Sequence, residues 1–223
     1  MIQLKKGNIP TVLKNKGEEL TNQYMQFITS NQKPPNSLRS KYAHPSIKEA
    51  LLKETNGKCA YCESSFTATD YGHIEHIEPK SKFPNKIFEW TNLTLSCSKC
   101  NINKSDYHSL KNPLINPYLD KPEEDLIFTG PIIITKSTRG LTTIKTLDLN
   151  RVELIDRRME YIKSIQSAII LYETTDDTEL KKLLYEDLLE YTKIDKEYSL
   201  MMKNIIKMIH SPVEVLYVPK ERT

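Results

Sequence analysis

The chain has no long apolar run. Nowhere in its 223 residues do apolar side chains continue for the roughly eighteen positions that a membrane-spanning helix needs. The opening stretch, MIQLKKGNIP, lacks the apolar centre of a secretory leader, and the expected compartment is the cytoplasm. There is no internal repeat and no low-complexity tract. The length suits one domain with appendages, or two small domains, and either can bury a core. Cysteine is scarce, with four in the chain, and in the cytoplasm these are not expected to pair as disulfides. Histidine is nearly as scarce, at five, yet two of the five fall together in GHIEHIEPKSK, interleaved with glutamates.

A net charge of +3 excludes little, but its distribution is uneven. Residues 1–58 carry ten basic and four acidic side chains, residues 59–113 six of each, and the remainder sixteen and nineteen. A basic N-terminal arm suits a phosphate backbone, or is simply a solvated lysine-rich surface; an acidic C-terminal region does not suit nucleic acid.

Along the chain, residues 1–44 read as extended and irregular around Pro10 and Pro34-Pro35, with a short helix near 17–30. HPSIKEALLKETNG reads as a helix with Pro45 in its first turn and Gly57 at its stop. Residues 58–112 are rich in Cys, His, Asn and Ser and show no clear periodicity, as expected where a metal replaces part of a core. A Pro-rich connector follows. LIFTGPIIITKSTRGLTTIKTLDL alternates and carries β-branched residues, predicting two or three strands with STRG as a turn. LNRVELIDRRMEYIKSIQSAIILYE predicts a long helix with Asn150 and Glu153 at capping-box spacing and Ile155, Met159, Ile162 and Ile169 on one face. Two more helices are predicted near 177–192 and 194–209, and a final strand in SPVEVLYVPKERT.

KCAYCE and SCSKCN each contain a C-x-x-C pair. Two such knuckles, Cys59 with Cys62 and Cys97 with Cys100, supply four thiolates for a tetrahedral structural zinc. A redox role would need only one pair. The 34 residues between the knuckles exceed what a minimal zinc ribbon needs, so something else is housed there. That insert holds residue types suited to phosphodiester hydrolysis: a histidine that can take a proton near neutral pH, and oxygen donors for a divalent cation. His76 follows Glu75 in IEHI, Asn92 precedes the second knuckle, and Asn101 and Lys104 follow it in CNINK. Zinc at the knuckles would bring IEHI, on a strand, opposite CNINK at the start of a helix.

The order C-x2-C, EHIEPKS, NL, C-x2-C-N-x2-K resembles the HNH endonuclease signature. With YAHPSIKEALLKETNGKCAYCE, NPLINPYLDKPEEDLIF and LDLNR it is similar to the HNH nucleases associated with retrons and with the Septu anti-phage systems, over residues 40–160. The resemblance implies a ββα-metal core in a mainly helical α+β protein. It divides the chain into a basic arm (1–44), a nuclease core with zinc knuckles (45–112), and a connector, short β-hairpin and C-terminal helical region (113–223). It implies His76 as general base, Glu75 and Asn101 as ligands of a catalytic Mg2+ or Mn2+, Asn92 as the residue that orients the histidine through its loop, and Lys104 as a phosphate contact. It also implies DNA as substrate and a partner ATPase, whose docking surface would be the acidic C-terminal helices with their Met/Ile stripes. Glu75 stands where many HNH enzymes have Asp, and Asn101 where many have His; such weak oxygen ligands favour magnesium or manganese over a transition metal.

Strand alternation places His73 on the face of Glu75, either at the metal or phosphate or as an exposed strand residue. His108 reads as a substrate contact or a bystander beyond the motif. His44, His210, Asp106, Arg157 and Arg158 read as structural or solvated, and Phe88 and Trp90 as anchors of the zinc subdomain rather than base-stacking residues. Two other functions fit the same residues. One is a nuclease that cuts RNA, such as tRNA; the other is a non-catalytic zinc module that binds nucleic acid or protein.

Overall fold

The structure is a computed structural model that describes residues 1–65 and 71–210. The fold is mainly helical α+β, with two two-stranded antiparallel sheets among the described residues. No described helix is long and apolar enough to cross a membrane.

The first nine residues are not a free arm. Met1, Ile2 and Leu4 are buried, and the amide of Leu4 donates to the Pro117 carbonyl at 2.7 Å. The ammonium of Lys6 donates to the Leu93 carbonyl at 2.7 Å and lies 3.7 Å from the centre of the Trp90 ring. Helix α1 then runs over Thr11–Thr29, six residues earlier than the sequence suggested. Pro10 supplies the entry, and nothing between 11 and 17 breaks a helix. Leu13, Gly17 and Tyr24 form its buried face, while Lys14 and Lys16 stay outside.

A short turn of helix, α2 (Asn36–Arg39), leads to α3 (Pro45–Thr55). The side chain of His44 accepts from the Ser46 amide and caps α3. Asn56 in the left-handed region and the Gly57 amide, bonded to the Leu52 carbonyl, stop it. Ile47, Leu51 and Thr55 face inward, against β2.

The centre of the molecule is a ββα unit. Strand β1 (His73–His76) pairs antiparallel with β2 (Leu93–Ser96), with His73 opposite Ser96 and His76 opposite Leu93. Helix α4 (Ser98–Lys104) follows at once. All four β2 residues are buried. Phe88 and Trp90 are buried beside them, as anchors of this unit.

Beyond it come a turn of helix, α5 (Pro122–Asp125), and the hairpin β3 (Ile127–Thr129) and β4 (Ile132–Ile134). The expected third strand is a helix instead, α6 (Thr138–Thr146). Ser137 decides this by capping the Gly140 amide at 2.9 Å, after which Gly140, Thr143 and Ile144 share a buried face.

Helix α7 (Val152–Thr174) is capped at Arg151, not by a box from Asn150. The Asn150 amide is used across the fold instead, bonding both backbone groups of Ile133. Its buried face is Leu154, Arg158, Ile165 and Tyr172, so Met159 is outside and Arg158, read as solvated, is fully buried. Helices α8 (Thr178–Glu190) and α9 (Ser199–His210) complete the described chain. The apolar stripe of α9, including Met201, Met202, Ile205 and Ile206, is core against β3 rather than an open docking face. The strand expected after His210 lies outside the described residues.

Candidate active site and metal centre

The two knuckles meet. The Sγ atoms of Cys59, Cys62, Cys97 and Cys100 all lie within 4.8 Å of one another, with Cys62 and Cys97 at 3.9 Å. Four thiolates around zinc at about 2.3 Å each would stand about 3.8 Å apart, so the donor set and its spacing fit a tetrahedral zinc. The Ala60 amide donates to the Leu95 carbonyl, tying the first knuckle to β2, and α4 begins inside the second. One metal there would fix the hairpin and the helix together.

The loop from 191 to 198 and the first residue of α9 wrap the first knuckle. The Lys58 ammonium donates to the carbonyls of Ile194 and Lys196, each at 2.6 Å. The Ser65 amide donates to Glu197, the Ser64 and Tyr198 hydroxyls pair at 2.9 Å, and the Ser199 hydroxyl donates to Glu63 at 2.9 Å. Glu63 also takes the α-amino group of Met1 at 2.9 Å. Burial alone would raise the Glu63 carboxyl, but the α-amino group and Lys58 hold it below the usual range.

The other half of the unit gathers the HNH residues. His76 is 5% exposed, and its Nε2 lies 3.0 Å from the Ile87 carbonyl oxygen. A carbonyl only accepts, so Nε2 carries the proton and Nδ1 holds the lone pair. Burial lowers the imidazole pKa to about 4, which keeps the ring neutral at pH 7. The edge of Tyr42 packs against the ring at 4.7 Å between centroids.

Asn92 closes the loop that carries Ile87. Its Oδ1 accepts from the Glu78 amide at 2.7 Å, and its Nδ2 donates to the carbonyls of Glu78 and Lys86 at 3.0 and 3.2 Å. The loop between β1 and β2 is thus closed on one buried amide, with Ile87 next to the clamped Lys86. An ion pair of Lys86 with Glu78 spans the same loop.

Glu75 is 6% exposed and faces α4. Lys104, expected at a phosphate, is only 2% exposed. Its ammonium donates to Glu75 Oε1 at 2.6 Å and to the His76 carbonyl at 2.8 Å. Burial raises the Glu75 carboxyl against the pull of this lysine. His73 lies on the same side, with Nε2 2.9 Å from the Ser98 hydroxyl. Ser98, Asn101 and Lys104 recur every three residues on α4, so Asn101 falls between the His73 and Glu75 contacts. Among the described residues, the four cysteines are the only cluster of three or more His, Cys, Asp or Glu that could hold a metal. Glu75 and Asn101, the residues expected to bind a catalytic metal, each carry an oxygen donor, and one oxygen of Glu75 is held by Lys104.

A cleft of about 370 Å³ opens beside this group, lined by Ile77, Glu78, Lys104 and His108 among others. His108 packs edge-on against Phe83, and Asp106 pairs with Lys82 at the surface. Three contributors were not legible: the Ile87 carbonyl is backbone and carries no sequence signal, Tyr42 is distant in sequence, and Arg151 places Nη1 3.9 Å from Cys100 Sγ.

Comparison with known proteins agrees with this geometry. The family model for HNH endonuclease matches residues 59–107. The chain is 33% identical to Septu protein PtuB of Bacillus thuringiensis, over 81% of this chain and 67% of that protein. It is 31% identical to Septu protein PtuB of Bacillus mycoides (strain KBAB4), over 75% of this chain and 67% of that protein. With two zinc-spaced knuckles around an oriented histidine, the chain belongs to the family of Septu PtuB proteins and carries an HNH endonuclease domain.

Proposed function

We propose that this protein is a metal-dependent endonuclease that hydrolyses DNA phosphodiester bonds, as the nuclease subunit of a Septu defence complex with a partner ATPase. One observation supports this most: the Ile87 carbonyl fixes His76 in the tautomer that leaves Nδ1 as an acceptor, in a neutral ring. That is the state a general base needs to take a proton from attacking water.

In this reading His76 is the general base, and Asn92 acts through the loop that presents Ile87. Glu75 and Asn101 hold a catalytic Mg2+ or Mn2+, which when bound supplies positive charge to the scissile phosphate and leaving oxygen. Lys104 sets the Glu75 carboxylate, and His73, beside Ser98 at the rim of α4, contacts the phosphate. The four cysteines hold a structural zinc. The ATPase contacts the part of the C-terminal region left open, where Ile170, Leu171 and Leu183 are exposed on α7 and α8.

The test is cleavage of plasmid DNA and of total cellular RNA with magnesium, by wild type and His76→Ala, each alone and with the ATPase, at equal zinc content. DNA cutting lost in folded His76→Ala is the expected result. RNA cutting lost instead changes the substrate and keeps the chemistry. Wild type that cuts neither overturns the nuclease reading in favour of a zinc module that only binds.

A further inference from the structure

Arg158 is a charge without an obvious partner. It is fully buried in the second turn of α7. Its Nη1 donates to the Pro131 and Leu149 carbonyls at 3.1 and 2.8 Å. Its Nε and Nη2 have no hydrogen-bond partner among the described residues. Its guanidinium lies over the rings of Phe128 and Tyr198, at 5.1 and 5.8 Å. Neutral carbonyls and rings do not cancel a buried cation, and a guanidinium this deep requires an anion within range.

Glu63 contributes, but its charge is shared: one oxygen takes the Met1 amine and the other the Ser199 hydroxyl, with Lys58 at 3.8 Å. Sulfur is the other anionic group in reach. Tyr198, under the Arg158 guanidinium, bonds Ser64, and the Ser64 hydroxyl lies 3.4 Å from Cys62 Sγ. Burial lowers the Arg158 pKa to about 10, and Cys62 leads the groups that oppose the fall. On the other side Arg151, at the cap of the same helix, reaches Cys100. A zinc ion with four thiolates carries a net charge of about −2, and the two arginines carry the matching positive charge.

We propose that Arg151 and Arg158 are the counter-charge of the metal-loaded four-cysteine centre, so that metal binding there fixes α7 against the first knuckle. The centre is then a junction between the nuclease unit and the C-terminal helices, and not only a staple within the former. Without metal nothing fixes the four cysteines together, so the anchor that Arg151 reaches at Cys100 loosens, and α7 with it.

The inference rests on the metal reading of the cysteines and is independent of the nuclease chemistry. The test uses the full chain with Arg151→Met, Arg158→Met and the two lysine variants. Cobalt(II) replaces zinc for absorption spectra, and zinc transfer to excess 4-(2-pyridylazo)resorcinol gives a release rate. A cation beside the sulfurs lowers their donor orbitals, so its removal moves the thiolate-to-cobalt band to lower energy. We expect that shift in both methionine variants, zinc release at least ten times faster, and lysine variants in between. On zinc removal from wild type, hydrogen exchange rises in α7 and in 194–199. Unchanged band position with release within twofold of wild type overturns the proposal, because a purely packing role for either arginine would leave the band unmoved. If Arg158→Met does not fold, Arg151→Met decides, since Arg151 is only half-buried. A wild-type chain that binds neither cobalt nor zinc overturns the metal reading itself, and the inference with it.

Discussion

The Lys104 ammonium lies 2.6 Å from Glu75 Oε1, with both side chains almost wholly buried. Removing one partner of such a pair leaves the other uncompensated, at a cost of about 3 kcal/mol or more. Lys104→Met is therefore expected to lower unfolding stability by that order and to lower kcat. Glu75→Gln combined with Lys104→Met should cost clearly less than the two single changes added. A lysine that served only as a phosphate contact would behave otherwise: stability would hold, KM would rise, and the cycle would show no coupling. Denaturant unfolding of the four proteins separates the two outcomes.

Asn92 closes the loop between β1 and β2. Asn92→Asp keeps the acceptor for the Glu78 amide but replaces the Nδ2 donor with an oxygen facing the Glu78 and Lys86 carbonyls. Losing those buried bonds costs about 2 kcal/mol and releases the segment that carries the Ile87 carbonyl. Nitrogen NMR of labelled imidazole should show His76 in the Nε2-protonated form in wild type and a mixed tautomer in Asn92→Asp. Cleavage should fall through kcat with KM little changed. A variant with the wild-type tautomer and a wild-type rate would remove Asn92 from the account.

What the sequence made legible was local. The knuckles, the His76 strand and the start of α4 were placed correctly because each is a short motif with its own spacing. The contacts that make them work are remote: Ile87 offers a backbone oxygen, Tyr42 comes from before α3, and the 191–198 loop reaches the first knuckle across more than a hundred residues. Threonines in α6 suggested strand by their β-branching, while one serine cap and one close-packed glycine settled it as helix. Arg158 looked solvated because an arginine on an amphipathic helix usually is; nothing local announces the rings of Phe128 and Tyr198 that bury it.

That glycine gives a stability contrast. A Cβ at Gly140 would stand 2.1 Å from Thr135 Oγ1 and 2.7 Å from the Asp125 carbonyl oxygen. At Gly130, where φ is +64°, it would meet nothing within 4 Å. Gly130→Ala therefore costs only backbone strain, about 1 kcal/mol. Gly140→Ala must push the α6 entry off the α5–β4 region and is expected to cost about 2–3 kcal/mol. Thermal or urea unfolding of both variants tests the order; equal losses, or a larger loss at Gly130, would mean that α6 does not pack as closely as described.

Lys6 gives one pH dependence above neutrality. Its ammonium is buried among Trp90, Tyr118 and Glu54, and burial outweighs the carboxylate, lowering its pKa from 10.5 to about 8. Below pH 8 both folded and unfolded chains hold the proton, so the contribution of Lys6 is flat. Between pH 8 and 10.5 the unfolded chain binds a proton that the folded chain does not, so stability rises with pH across this window. Lys6→Met has no such proton. The stability of wild type relative to Lys6→Met should therefore increase from pH 8 upward, approaching about 3 kcal/mol if the full shift is expressed. Urea unfolding of both proteins at pH 7, 8, 9 and 10 measures the difference directly, and groups common to both cancel. A difference that stays constant with pH would show that Lys6 titrates alike in the folded and unfolded chains, and that the packing of the first nine residues against Trp90 is looser than its contacts indicate.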